Sequence, residues 1–203
     1  MRTVLIKINP ARDEGRKIRR AADAIIKGGI VAFPTETVYG LAVSAADKEA
    51  VKRLYFLKGR PQGKKLPIQI HHISQLGKYV RKPSPRLKLI VEKFWPGPLT
   101  VIVKAKKGDV ALRMPDNKTA LEIIKETGVP VAVTSANKSG ERPLFTAGDV
   151  LNAFNGRIDM IVDDGATACG IESTVLDCRG RDFKVLRKGA IYDKLKPYLK
   201  KAV

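Results

Sequence analysis

The apolar positions of this chain fall into two spacings that predict alternating strands and helices. Val4 to Ile8 predicts a strand. Ile18, Ala21, Ala22, Ile25 and Ile26 then recur at helical spacing, and Gly28-Gly29 stops that helix. The short apolar run Ile30-Val31-Ala32-Phe33, closed by Pro34, predicts a buried strand. Asp47 caps a helix whose inward face is Ala50, Val51, Leu54 and Tyr55 and which ends at Lys58-Gly59. Leu66 to Ile70 predicts a strand, and Pro85 to Phe94 a helix with Leu87, Ile90, Val91 and Phe94 inward. Trp95-Pro96-Gly97-Pro98 is a rigid turn into a strand over Leu99 to Lys104, followed by another over Val110 to Met114. Lys118 to Thr127 predicts a helix closed by Gly128.

Val129 to Thr134 predicts a strand, placed near a sheet edge by Pro130. Thr146 to Asp149 has the form of a capping box for a short helix through Phe154. Met160 to Val162, Ser173 to Asp177 and Phe183 to Leu186 predict three late strands. A basic helix from Tyr192 to Lys200, interrupted by Pro197, closes the chain. The alternation predicts a twisted mixed α/β sheet with flanking helices. The expected organisation is one domain over residues 1–203, with a core at about 10–190 and a basic tail at 191–203.

Composition is that of a globular protein: 203 residues, 44% hydrophobic and 29% charged. Charge changes the picture. Lys and Arg number 39 against 20 Asp and Glu, a formal net charge of +19. Such an excess points to an anionic partner: nucleotide, nucleic acid or anionic lipid. The other reading is a Lys-rich heat-adapted surface. Three Gln and five Asn fit it, but Glu is not enriched alongside Lys. No apolar run approaches the ~18 residues of a spanning helix. The N-terminal segment has no apolar signal core, so a cytoplasmic protein is expected. Cys169 and Cys178 fit neither a zinc site nor a disulfide scaffold, and are read as buried hydrophobes.

Several standard sites are absent. Gly59 to Lys65 looks like a phosphate loop, but only three residues separate its glycines and Lys64-Lys65 follows in place of Lys-Ser/Thr. The only histidines are the adjacent His71 and His72. What remains is a set of polar islands at strand ends, where α/β folds place ligands. They are Pro34 to Leu41, Lys58 to Pro61, Thr134 to Gly140 and Gly170 to Thr174, with Arg113 and Arg187 each ending a strand. Arg grips two oxygens at once, Lys is a mobile point charge, and Thr and Ser hydroxyls both donate and accept. The expectation is that these islands converge on one anion-binding cleft.

In this order, the islands resemble the YrdC-type threonylcarbamoyl-AMP synthase family. The matching segments are GGIVAFPTETVYGLA (Gly28 to Ala42), LKGRP (Leu57 to Pro61), FWPGPLTVIV (Phe94 to Val103), LRMPDN (Leu112 to Asn117), PVAVTSANKSGERP (Pro130 to Pro143), GIESTVLD (Gly170 to Asp177) and VLRKG (Val185 to Gly189). The resemblance implies a twisted α/β sheet around a basic cavity. Longer members of the family carry a second, C-terminal domain, for which this chain is expected to have no room. The implied reaction takes L-threonine, bicarbonate and ATP with Mg2+, and gives L-threonylcarbamoyl-AMP and pyrophosphate. A separate transferase complex then modifies a tRNA adenosine beside the anticodon.

By matching position, Lys58, Arg60, Ser135 and Asn137 would surround the phosphates, and Arg187 would contact the nucleotide. Thr35, Arg113 and Ser173 would hold threonine. Tyr39, Thr134 and Gln69 are further candidates, and no metal ligand is expected beyond Mg2+ carried by ATP. Gln69 stands where many members have His, Ala42 replaces a common Gly, and the 104–112 stretch looks like a shortened loop. These departures leave room for a paralogue acting on a different carbamoyl-type substrate. A second class of function is a non-catalytic module binding tRNA or double-stranded RNA, for which Arg12, Arg16, Lys17, Arg19 and Arg20 are candidates. Their other reading is the solvated face of the first helix. No RNP-like aromatic signature or KH loop accompanies them.

Overall fold

The computed structural model describes residues 2–9, 11–106 and 108–199. Its strands are β1 (Val4–Lys7), β2 (Val31–Phe33), β3 (Gly40–Ser44), β4 (Ile68–Gln69), β5 (Leu99–Ala105), β6 (Gly108–Arg113), β7 (Val131–Ser135), β8 (Met160–Asp163), β9 (Thr174–Asp177) and β10 (Lys184–Arg187). They form one sheet in the order β1-β8-β2-β3-β7-β4-β6-β5-β9-β10, with both parallel and antiparallel neighbours. The helices are α1 (Gly15–Ile26), α2 (Lys48–Lys58), α3 (Leu76–Tyr79), α4 (Pro85–Phe94), α5 (Lys118–Thr127), α6 (Ala147–Phe154) and α7 (Tyr192–Leu195). A 3-10 turn over Lys196–Leu199 follows α7, and Lys200, the end of the expected last helix, lies outside the described residues.

Two-residue alternation along the strands sorts the core. In the β8-β2-β3-β7 half, Ala32, Leu41, Ala132 and Ile161 turn one way, against Leu54 of α2 and Val150 and Phe154 of α6. Val31, Phe33, Ala42, Val133 and Val162 turn the other way, against Ile18 and Ile25 of α1 and Ile123 of α5. Both faces are therefore covered. In the β6-β5-β9 half, Leu99, Val101, Leu112 and Leu176 pack on Ile90 and Val91 of α4. The alternate residues of those strands, Thr100, Ile102, Ala111, Arg113 and Val175, line an open cavity instead. The site occupies the sheet face that no helix covers.

The structure adds to or changes four of these readings. β7 is not near an edge: it is hydrogen-bonded to β3 on one side and β4 on the other. Pro130 stops just short of the ladder, and its carbonyl accepts from Ala45 N at 2.8 Å, so the missing N–H costs no strand pairing. β3 falls inside the segment expected to be a polar island and the residues after it. All five of its residues are buried, so it has no polar alternation to reveal it. The stretch at 104–112 is a hairpin tip, with Ala105 facing Gly108 across the turn between β5 and β6. Of the two cysteines expected to be buried, Cys169 is exposed, while burial pushes the half-buried Cys178 thiol up to about 12. None of the described helices is long and apolar enough to cross a membrane.

α2 carries the sheet's packing into the site. Asp47 Oδ1 accepts from Glu49 N at 2.9 Å and Ala50 N at 3.0 Å, capping its start. Gly59, at φ 57°, ends it in the left-handed conformation that suits glycine. Leu54, fully buried between these ends, sets the helix against the sheet. Leu54→Ala is expected to lower unfolding stability by about 2–5 kcal/mol in urea titration, and a loss under about 1 kcal/mol would contradict this packing role.

Candidate functional site

The cavity has a volume of about 830 Å3. Thr35, Tyr39, Lys58, Arg60, Gln69, Arg113, Thr134, Ser135, Asn137, Ser173 and Arg187 all line it. The strand-end islands, scattered over the sequence, meet in one place. Further cations, Lys64, Lys65 and Arg179, stand among the lining, against the carboxylates of Asp109, Glu141 and Glu172.

Lys58 is 2% exposed. Its ammonium donates to the carbonyl oxygens of Ser135 and Asn137 and, at 3.1 Å, to Asn137 Oδ1. All three of its donors are thus engaged. Ser135 Oγ donates to Asn137 Oδ1 at 2.6 Å, Asn137 Nδ2 to Glu141 O at 2.6 Å, and Ser139 N to Lys58 O at 2.8 Å. The end of α2 and the loop after β7 are stitched into one polar unit. Burial, reinforced by the Arg60 guanidinium, holds the Lys58 ammonium down to about 8, against the opposing pull of Glu172 and Glu141.

Arg60 is held over the same unit. Its Nε donates to Lys64 O at 2.8 Å and its Nη2 to Lys65 O at 2.9 Å, which closes the 61–65 loop under it. Burial lowers its pKa from the ordinary guanidinium value. Across the cavity, Arg187 makes an ion pair with Glu172 at 2.8 Å. It also donates to Ser173 O at 3.0 Å and Ser173 Oγ at 3.1 Å. Ser173 Oγ lies 2.8 Å from Thr100 Oγ1. Gly189 allows this close approach, since a Cβ there would overlap the carbonyl groups of Glu172 and Ser173.

The third cluster surrounds Arg113. Its Nη2 donates to Thr37 Oγ1 at 2.7 Å and to Glu36 Oε2 at 2.8 Å. Thr35 Oγ1 lies 2.8 Å from Thr37 Oγ1. Gln69 is the register partner of Arg113 across β4 and β6. Arg113 Nε and Gln69 Oε1 are both buried and have no hydrogen-bond partner. Glu36 Oε1 is likewise buried and unpartnered, so this cluster holds one unsatisfied donor and two unsatisfied acceptors on neighbouring residues.

Tyr39 lines the cavity, but its ring belongs to the core and its hydroxyl donates to Gly165 O at 2.8 Å. Burial, with the Asp163 and Asp164 carboxylates, pushes that phenol well up, so it acts as a fixed wall. Sequence reasoning missed Glu36, Thr37 and Thr100 as individual contributors. Thr100 was visible as the one polar residue among Leu99, Val101 and Val103, which marks it as facing away from the core. Glu36 carried no signal, because its value lies in pairing with an arginine far off in sequence. Among the described residues, no group of three or more His, Cys, Asp or Glu forms a candidate metal cage.

The Sua5/YciO/YrdC family model, described as telomere recombination, matches residues 23–189. The threonylcarbamoyl-AMP synthase of Bacillus subtilis is 41% identical over 186 residues, 86% of this chain and 54% of that protein. The Pyrococcus abyssi protein of the same name is 39% identical over 199 residues, 93% of this chain and 58% of its own. This chain spans little more than half the length of these two relatives. A putative threonylcarbamoyl-AMP synthase of Mycobacterium tuberculosis is 34% identical and is matched over 85% of its length. Among solved structures, P. abyssi Sua5 complexed with L-threonine superposes with a TM-score of 0.89 at 38% identity, covering 96% of this chain and 60% of that one. Escherichia coli YciO, at 23% identity, shares the fold with a TM-score of 0.84, covering 93% of this chain and 96% of its own.

The Lys58 environment sets a pH dependence. Above about 8 the ammonium loses its proton and the cavity loses a positive charge. Pyrophosphate affinity, measured by calorimetry from about pH 7 to about pH 9, is expected to fall relative to a Lys58→Arg chain. Parallel curves for the two chains would contradict it. The unfolded lysine keeps its proton to near 10.5, so the native chain binds fewer protons across the window from about 8 to 10.5. This group's contribution to stability therefore grows with pH there.

Proposed function

The chain belongs to the Sua5/YciO/YrdC family, and from that premise we propose that it makes L-threonylcarbamoyl-AMP and pyrophosphate from L-threonine, bicarbonate and ATP. One observation carries the reading: the unpaired donor of Arg113 and the unpaired acceptor of Gln69 sit together at the wall of a cation-lined cavity. That pair suits an amino acid, whose carboxylate accepts a hydrogen bond from Arg113 Nε and whose ammonium or hydroxyl donates one to Gln69 Oε1. Thr35 and Ser173 offer hydroxyls on the same wall.

The chemistry is nucleotidyl transfer. Threonine's amine and bicarbonate form N-carboxythreonine, with a C–N bond made and water lost. A carboxylate oxygen of this carbamate attacks the α-phosphorus of ATP. The bond from that phosphorus to the bridging oxygen breaks, and pyrophosphate leaves. No nucleophilic side chain is required. The demand is to hold two mutually repelling anions in line and to offset charge on the phosphates. Arg60 and Arg187 bear on the triphosphate, with Ser135 and Asn137 as hydrogen-bonding partners. Lys58, its donors already taken, works through its field and by fixing the loop that presents Ser135 and Asn137. The nucleotide enters as its Mg2+ complex, with the ion carried on the phosphates. The threonylcarbamoyl group then passes through a separate transferase complex to the tRNA adenosine beside the anticodon, a cytoplasmic reaction.

Pyrophosphate release from MgATP is expected only when L-threonine and bicarbonate are both present, with serine far less effective. Arg60→Ala is expected to lower that rate about 10²–10³-fold. Release that ignores threonine would overturn the reading, and release with another carbamoyl-type substrate alone would change the substrate.

A further inference from the structure

A second cavity, of about 400 Å3, opens away from the residues described above. Its floor is Ile30 and Leu57, and its rim carries Lys52, Arg53 and Arg157. Phe56 stands beside it at 88% exposure, an aromatic ring turned to water on a helix whose neighbours Leu54 and Leu57 are buried. An apolar floor with an exposed aromatic rim is the anatomy of a protein-docking pocket. Arg53 is fixed in place by the Gly28 carbonyl, which its Nη2 meets. Neither Arg53 nor Arg157 has a carboxylate partner among the described residues, whereas Lys52 pairs with Glu49 at 2.7 Å.

We propose that this pocket docks an acidic protein segment: one apolar or aromatic side chain enters between Ile30, Leu57 and Phe56, and flanking carboxylates pair with Arg53 and Arg157. The surroundings favour this occupant over two others. Asp47 lies against Gly28, next to Arg53, and Asp159 accepts from Ile30 N at 2.7 Å behind the floor. Those fixed carboxylates limit how much negative charge the rim accepts, and the apolar floor of Ile30 and Leu57 beside Phe56 asks for an apolar side chain, which a protein segment with one or two carboxylates supplies and a phosphodiester backbone does not. A second copy of this chain would bring another +19 charge to a rim that is already cationic. Phe56 lies in the same last turn of α2 as Lys58, so the segment would grip the helix end that anchors the first cavity. The proposal does not depend on the reaction assigned to that cavity.

The probe is the peptide Ac-Glu-Phe-Glu-NH2, titrated to millimolar levels into the full chain labelled with nitrogen-15. Saturable amide shifts are expected over Lys52 to Leu57 and at Arg157, with MgATP shifting a separate set around Lys58. Arg157→Glu and Phe56→Ala, both at exposed positions, are each expected to weaken the peptide about tenfold while leaving the MgATP shifts unchanged. Ac-Lys-Phe-Lys-NH2 and Ac-Glu-Ala-Glu-NH2 are expected to bind more weakly. The proposal is overturned if the acidic peptide leaves these amides unmoved or if the basic peptide binds equally well. Tighter binding of a uridine hexanucleotide at the same residues would also overturn it, and would assign the surface to RNA.

Discussion

The Lys58 ammonium donates to two carbonyl oxygens and one amide oxygen at the end of β7 and in the loop after it, from the last residue of a helix packed on the sheet. Burying an ammonium is costly unless every proton finds an acceptor. The acceptors are therefore held where the lysine needs them, and the loop cannot drift without leaving a buried charge unpaired. Ser135, Asn137 and, through Gly59, Arg60 take their positions from this constraint. The cavity is organised before any ligand arrives, and the proposed reaction, which aligns two anions, depends on such preorganisation.

The sheet supplies the room. One half is packed with helices on both faces, by the alternation of Val31, Ala32 and Phe33 and their neighbours. The other half is covered by α4 on one face and left open on the other. Strand residues with odd chemistry for a core, Thr100, Arg113 and Gln69, are those that face the open side. Arg113 is the clearest case. Its charge is paired with Glu36 at 2.8 Å, while its Nε–H is buried without a hydrogen-bond partner. An unfilled buried donor costs stability, and the proposed function gives it a use as a partner for the amino acid's carboxylate.

Much of this was legible in the residues. Helix periodicity with end signals gave α2 and α5 nearly to the residue, because Asp47 and Gly59 bound the first and Gly128 closes the second. The polar islands were legible because hydroxyls, cations and glycines directly after apolar strands have no packing purpose. β3 was not legible, since a strand buried on both faces shows no alternation. The central position of β7 was not legible either, because Pro130 says only that one N–H is missing and not that the ladder begins after it. Nor could the sequence show that Lys58 spends its protons on the chain or that Glu36 faces Arg113. Both depend on contacts some 77 residues or more apart.

The most direct test of the account follows oxygen. With bicarbonate labelled with oxygen-18, L-threonine and MgATP, the account predicts that one labelled oxygen ends up bonded to the α-phosphorus of the nucleotide product, read as an isotope shift in its phosphorus-31 resonance. Pyrophosphate release with no label on that phosphorus would contradict it, because the attacking atom would then have come from somewhere other than a carboxylated amino acid.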